Sequence, residues 1–293
     1  MRVAFASACM LALAAGPRVA RACAVCATAD PTIVASGEEQ PFRGRLRLDA
    51  DVRLGHVDVG PFSLDDRRVE IGATWAPIRA LEISLAFPYL FRHLSEASSL
   101  EPFDHATLGD VELRATMLAY ESRGAFGRRR FGLLGALKFP TAPIENDPRG
   151  VPLSSVLQPG CGSIAPTLGA YYFASRDAWS LFASVSLFLP FQVREGPHAG
   201  DSARASFHVQ FQPESHFAGR IGVFARLDAS GNLTPSTDDP NSGGFIGYAT
   251  GELAFSATDD LVITIGAFVP LVEALRGAHH ESAIGALTVA YDF

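Results

Sequence analysis

Charged residues occur at every second position in "RLRLDADVRL", from Arg45 to Leu54. Arg45, Arg47, Asp49, Asp51 and Arg53 fall on one face of an extended chain, and Leu46, Leu48, Ala50, Val52 and Leu54 fall on the other. The same alternation puts Glu70, Glu82, Asp110, Glu112, Arg114, Lys138, Arg204, His208, Arg220, Arg226 and Glu252 on polar faces of later segments. Two kinds of chemistry suit such rows. Opposed charge ladders along an aqueous bore act on passing solutes. The same groups, bridged to one another, fill a narrow barrel. Both signs are well represented, so strong charge selectivity is not expected. Tyr171, Phe173, Phe182, Phe188, Phe224, Tyr248 and Phe268 share the polar register, which adds a possible apolar track.

Other reactive residues are sparse. Cys23 and Cys26 form "CAVC", too isolated for a zinc site, so a local disulfide or a thiol site for a soft metal remain the two readings. Cys161 lies in the longest loop and is assigned no role. His93, His105, His198, His279 and His280, with Asp65, Asp66, Asp238 and Asp239, read as solvated loop residues rather than as a metal set. No metal and no cofactor is expected. There is no G-x-S-x-G and no catalytic triad to assemble, so an enzyme is not expected. A hydrolase using Asp238, Asp239 and His279 or His280 is one alternative, and a plugged structural or metal-handling barrel using the "CAVC" lead is another.

The elements that position these residues are strands. Twelve alternating segments are expected at about 43–56, 67–76, 80–92, 107–120, 127–139, 163–175, 177–192, 203–213, 216–228, 243–256, 259–272 and 280–293. Most are long enough to cross a bilayer at a tilt. Their connections alternate between short turns ("APIRA", "SRGAFG", "SRD", "PES", "TDD") and longer polar loops ("VGPFSLDDR", "HLSEASSLEPFDH", the stretch 140–162, "EGPHAGD", "ASGNLTPSTDDPNSG", "VEALRGAHH"). That is the pattern of a transmembrane antiparallel up-and-down β-barrel, with short periplasmic turns and longer external loops. Aromatics near segment ends (Trp75, Tyr89, Phe91, Tyr120, Phe139, Trp179, Phe191, Phe245 and Phe255) are expected to form interfacial girdles.

Residues 1–22 read as a cleaved signal peptide, with Arg2, an apolar core from Val3 to Gly16, and Ala20-Arg21-Ala22 at the cut. Residues 23–42 read as a periplasmic lead or plug, and 43–293 as the barrel. The chain carries 24 basic and 31 acidic residues; cleavage removes Arg2, Arg18 and Arg21 and leaves 21 basic residues against the same 31 acids. So acidic a chain is a poor nucleic-acid binder. The expected partners are outer-membrane lipid, a small-molecule solute and the machinery that inserts barrels. Tyr291 and the terminal Phe293 of "LTVAYDF" resemble the C-terminal signature that this machinery reads.

One stretch carries a more specific likeness. Leu108, Gly109 and Asp110 are followed by Lys138, Phe139, Pro140 and Thr141, and then by Gly160, Gly162 and Ser163. This order resembles the phenol-degradation-pathway (MetA) family of outer-membrane transporters, whose members show L-G-D, then K-[LF]-P-T-G, then G-x-G-S. Ala142 stands where that family has glycine, and Cys161 where threonine is common. The resemblance covers roughly residues 108–172 and implies a bacterial outer-membrane location and passive uptake of small, often aromatic compounds.

Overall fold

The structure is a computed structural model that describes residues 44, 46–96, 103–124, 127–147, 149–214, 216–234 and 236–293. Residues 1–22, the "CAVC" lead and Arg45 lie outside the described residues. Strand β1 (Leu46–Val59) pairs antiparallel with β2 (Phe62–Ile78), and β2 with β3 (Leu81–Glu96). β4 (Phe103–Leu108) and β5 (Glu112–Gly124) are two halves of one stave, both paired with β3. The order continues through β6 (Gly127–Lys138), β7 (Ser163–Arg176), and a stave split into β8 (Trp179–Phe188) and β9 (Phe191–Gln192). Next come β10 (Ser202–Glu214) and β11 (Phe217–Asp228). The small hairpin of β12 (Asn232–Thr234) and β13 (Thr237–Asp238) lies in a connection. The wall resumes with β14 (Gly244–Ser256) and β15 (Leu261–Leu275), then β16 (His279–Glu281) and β17 (Ile284–Asp292) as one interrupted stave. β17 pairs with β1 from Arg47↔Asp292 to Leu54↔Gly285, which closes the sheet. Among the described residues the result is a closed barrel of twelve staves.

Alternation is read out on the two faces. Leu46, Leu48, Ile71, Trp75, Val185, Leu187, Ile221, Val223, Leu253 and Ile265 are exposed, while Arg47, Asp51, Arg53, Glu70 and Arg226 are buried. Burial is therefore inverted relative to a protein folded in water: large apolar side chains cover the outside. A sheet with this exterior is built for hydrocarbon. Trp75, Tyr89, Phe91, Tyr120, Phe139, Trp179, Phe191, Phe245 and Phe255 all project outward. Phe245 and Phe255 mark the two ends of β14. Ten residues at about 3.3 Å each span roughly 33 Å, and a tilt of about 40° projects that to roughly 25 Å, the height of an outer-membrane apolar band. In "LTVAYDF", Leu287, Val289, Tyr291 and Phe293 point outward, and Phe293 donates its backbone N–H to the Leu46 carbonyl at 2.8 Å.

Three expected loops contract, among them "HLSEASSLEPFDH", where β3 runs on to Glu96 and β4 begins at Phe103. "VGPFSLDDR" is not a long loop: β1 runs to Val59 and β2 begins at Phe62, so the connection is Gly60-Pro61, with Gly60 at φ 59°. The polar residues Ser63 and Asp65 belong to strand that continues beyond the apolar band, where polar outward groups meet water, and Asp66 turns inward, its Oδ1 3.8 Å from Arg92 Nε. "VEALRGAHH" shrinks likewise, because β15 extends to Leu275. The long external connections that remain are 139–162, 193–201 and 229–243.

A lysine placed outward at mid-strand tests the lipid-facing assignment. Val223→Lys should destabilise the barrel in bilayers by about 2–4 kcal/mol, whereas Phe217→Lys at the strand end should cost only about 0–1 kcal/mol. Urea unfolding in lipid vesicles reads both, and equal costs at the two depths would contradict a hydrocarbon belt centred near Val223.

Candidate functional site: the barrel interior and its internal loop

The inward residues of β1, β2, β5 and β6 form a continuous ladder. Asp51 accepts from Arg53 Nε and from Thr288 Oγ1, each at 2.7 Å. Glu70 takes Arg68 at 2.6 Å and Arg114 at 2.8 Å; Arg114 also reaches Glu112 at 2.7 Å, and Lys138 lies 3.5 Å from Glu112. Three of these six pairs are two residues apart, because a strand returns to the same face every second residue. Nearer the chain ends, Arg47 holds Asp292 through two bonds of 2.7 and 2.8 Å.

A second network lines the opposite wall. Ser202 donates to Asp228 at 2.7 Å, Arg204 Nε to Ser202 at 3.2 Å, and Arg226 bridges Asp228 and Glu281. The Tyr248 hydroxyl also donates to Glu281. Phe188 joins the two networks: Lys138 Nζ lies 5.8 Å and Arg204 Cζ 4.8 Å from its ring centroid, within cation–π range. Removing one member of such a network leaves a buried charge, which costs about 3–5 kcal/mol.

Other expected interior residues are less enclosed. Arg220 pairs with Glu252 at 2.6 Å and contacts Gln210, and all three are half-buried. Asp49 and Glu82 are half-buried on the inward rows of β1 and β3. Water therefore reaches the half of the interior near the short turns. His208 is 1% exposed and lies 3.3 Å from Thr250 Oγ1. Two aromatic patches interrupt the charge: Tyr171, Phe182 and Phe173 with Leu134, and Phe224, Tyr248 and Phe268 with Ile246.

The external half is packed by a loop. Residues 139–162 turn inward and bury Leu153, Val156 and Leu157 against Val59, Leu64 and Leu94 of the wall. A short 3₁₀ turn at Ser155–Leu157 is held by Asp239 of the 229–243 loop, whose Oδ2 accepts from Ser154 Oγ at 2.6 Å and from Ser155 N and Oγ at 2.8 Å. Arg92 grips the same loop through Glu145 and the Leu157 carbonyl. Gln158 closes it on itself, bonding Glu145 and Leu153 at 2.9 Å.

The residues of the family-like motif meet at the roots of this loop. Asp110 accepts from Cys161 N at 2.6 Å, Cys161 Sγ at 3.1 Å and Ala142 N at 3.1 Å. Thr141 Oγ1 donates to the Gly109 carbonyl at 2.8 Å and accepts from Val111 N at 2.9 Å. Ser163 Oγ donates to the Cys161 carbonyl at 3.1 Å. The two glycines differ in purpose. Gly162 turns at φ 63°, a left-handed conformation. Gly160 needs no special φ; a Cβ there would lie 2.4 Å from Asp110 Oδ1. Leu108 is exposed to the outside and Pro140 caps the strand end. Cys161, expected to have no role, is fully buried in this lock.

In the loop, burial pushes the Asp147 carboxyl up, but the N–H groups of Val151 and Arg149 and the Arg149 side chain outweigh it and hold the carboxyl below its usual range. Its contribution to the loop is present above the ordinary carboxylate pKa of about 4 and is lost as pH falls through the lowered value. Burial holds the His198 imidazole below its usual value.

Sequence reasoning did not single out Arg68, Glu145, Gln158, Asp239 as a cap, or Glu281. Arg68 stands two residues from Glu70, a signal that would have found it. Glu281 has no such signal: inward residues of β17 are even-numbered, and the break at 282–283 flips the parity. Among the described residues no group of three or more His, Cys, Asp or Glu is placed to hold a metal ion.

An outer-membrane channel from Pseudomonas putida F1 superposes with a TM-score of 0.69 at 15% identity, covering 90% of this chain and 99% of its own. The fold is that of outer-membrane β-barrels. The translocator domain of the autotransporter NalP from Neisseria meningitidis shares it (TM-score 0.53, 10% identity, 89% and 92% covered), as does the transport unit of the autotransporter AIDA-I from Escherichia coli (0.50, 11%, 88% and 92%). No protein-family model and no curated protein matches the chain.

If Asp110 anchors the barrel's internal loop, Asp110→Ala should release it. In the folded, unmodified chain a maleimide should leave Cys161 unlabelled; in Asp110→Ala, labelling should rise several-fold, read by mass spectrometry. Equal protection in both would show that the loop is held elsewhere.

Proposed function

We propose that this chain is a passive channel or transporter for small, largely apolar molecules in the outer membrane of a Gram-negative bacterium. The observation that carries the reading is the pair of aromatic patches inside a closed barrel whose exterior suits lipid. An interior needed only for ions has no use for Phe182, Phe224 and Phe268 among its inward residues. In this reading the charged networks keep the bore wetted and shaped, the half-exposed residues near the short turns form a periplasmic vestibule, and residues 139–162 form the constriction. Residues 1–22 serve as the export signal, 23–42 as a periplasmic lead, and Phe293 as the mark read on insertion.

The convergence of Gly109, Asp110, Thr141, Gly160, Gly162 and Ser163 on one lock supports kinship with the phenol-degradation-pathway family, since a spaced motif is explained when its parts meet. That kinship favours aromatic solutes. The motif residues act here as positioning residues for the loop and not as solute ligands.

The test is uptake by vesicles with a lipopolysaccharide outer leaflet, the barrier that excludes apolar solutes. Purified protein should accelerate entry of N-phenyl-1-naphthylamine over protein-free vesicles. Phe182→Ser with Phe224→Ser should reduce that entry several-fold while preserving the barrel's resistance to unfolding in detergent. Entry no faster than in protein-free vesicles would reject the transport reading.

A further inference from the structure

One charge cluster is not matched within the networks described above. Beside the β5–β6 turn, Arg123 lies opposite Arg128 and Glu121 lies opposite Arg130, so the four side chains share a face. That face is the inner one. Arg130 lies opposite Phe173 of β7, its Cζ 6.0 Å from the centroid of that ring, and Phe173 packs on Leu134, Tyr171 and Phe182. Three guanidiniums surround a single carboxylate oxygen. Arg123 Nε donates to Glu121 Oε1 at 3.3 Å, Arg128 Nε donates to the same oxygen, and Arg130 Nε lies 3.8 Å from it. Three positive charges against one negative leave an excess of two. Arg176 and Asp177 on the next turn pair with each other at 3.5 Å and do not alter it. Elsewhere in the interior, acids match the arginines: Asp228 and Glu281 hold Arg226, and Glu70 and Glu112 hold Arg114. The excess stands in a chain with 24 basic residues against 31 acidic ones.

Like charges directly opposite one another destabilise a sheet, so a turn that served only to join two strands has no use for Arg123 facing Arg128. The donors left over suit an anion. Arg123 and Arg128 reach Glu121 through Nε, and their terminal Nη groups have no partner among the described residues. Arg130 Nε is buried without a hydrogen-bond partner. A guanidinium fork grips a planar carboxylate through two parallel N–H bonds, and it also stacks on aromatic rings. Exposure falls steadily along the cluster: the side chain of Arg123 is 72% exposed, that of Arg128 34% and that of Arg130 13%. The arginines therefore lead from water at the short-turn end to half-buried Phe173. Beyond it, the rings of Tyr171 and Phe182 stack at 6.1 Å and 14°. Positive charge at the mouth and flat apolar rings behind it call for a ligand with an anionic head and an aromatic body. A neutral molecule leaves the excess charge unused, and a small aliphatic anion leaves the rings unused.

We propose that Arg123, Arg128 and Arg130, together with Phe173, form a binding site for small aromatic carboxylates at the short-turn mouth of the barrel. The site deepens the transport reading and rests on it for its physiological purpose, but binding is measured without transport. Benzoate is titrated at neutral pH onto the purified full chain in a non-ionic detergent, and binding is read by saturation-transfer NMR. Benzyl alcohol carries the ring without the charge, and acetate carries the charge without the ring; each should bind several-fold more weakly than benzoate. Arg123→Gln with Arg128→Gln should weaken benzoate binding several-fold. Glu121→Gln should strengthen it, because the competing carboxylate is gone. A cluster that merely braced the turn would not respond with opposite signs. Raising the salt from about 0.01 M to about 1 M shortens the screening length from about 30 Å to about 3 Å, and should weaken binding to the unmodified chain. Benzoate affinity unchanged in the double variant, or no greater than that of benzyl alcohol or acetate, would overturn the site and leave N-phenyl-1-naphthylamine entry untouched. Benzoate binding with the expected pattern, in a barrel that does not speed that entry, would support the site while rejecting the transport reading.

Discussion

A backbone N–H or C=O without a partner in hydrocarbon costs several kcal/mol, and a sheet of many strands exposes a row of them at each edge. Closure of β1 on β17 removes both edges at once. Once the sheet is a cylinder, its outer surface is solvated by lipid and its inner surface by water or by itself. The inversion of apolar and charged residues follows from that geometry alone. It explains why Val223 is exposed while Arg226 is 1% exposed.

A narrow cylinder then creates a second requirement. Charges brought inside must satisfy one another, because little water is left to do so. The ladder from Asp51 through Glu70, Arg114 and Glu112 to Lys138 meets this on one wall, and the Ser202–Asp228–Arg226–Glu281 network meets it on the other. Phe188 between Lys138 and Arg204 joins them without adding a charge. Such networks contribute little net stability compared with well-packed apolar residues of the same volume. What they add is shape: each pair fixes side chains that would otherwise wander into the bore, and the aromatic patches pack, buried, between them.

The 139–162 loop gives the interior an inside and an outside. It is tied to three places: Asp110 at its roots, Arg92 on the wall, and Asp239 from a neighbouring loop. These ties use backbone groups of the loop (Ala142 N, Ser155 N, Leu157 O and Cys161 N) together with its own side chains Glu145, Ser154, Ser155 and Cys161. The opposite half of the interior stays hydrated.

Much of this was legible in the residues. Period-two alternation in "RLRLDADVRL" and "LTVAYDF" reports which side chains share a face, because strand geometry is local, and the length of the alternating runs reports a membrane-crossing wall. Partners two residues apart, such as Asp51 with Arg53, are readable for the same reason. Three things were decided only by tertiary structure. The loop's inward course depends on Asp110 meeting residues about fifty positions later. The exact strand ends at Gly60-Pro61 depend on pairing partners rather than on polarity, which misread Ser63 to Asp66 as loop. The inward placement of Glu281 depends on the parity break at 282–283, and no alternation pattern crosses a break. Alternation is a property of one strand, whereas contacts between distant segments are set by how the closed wall aligns its staves.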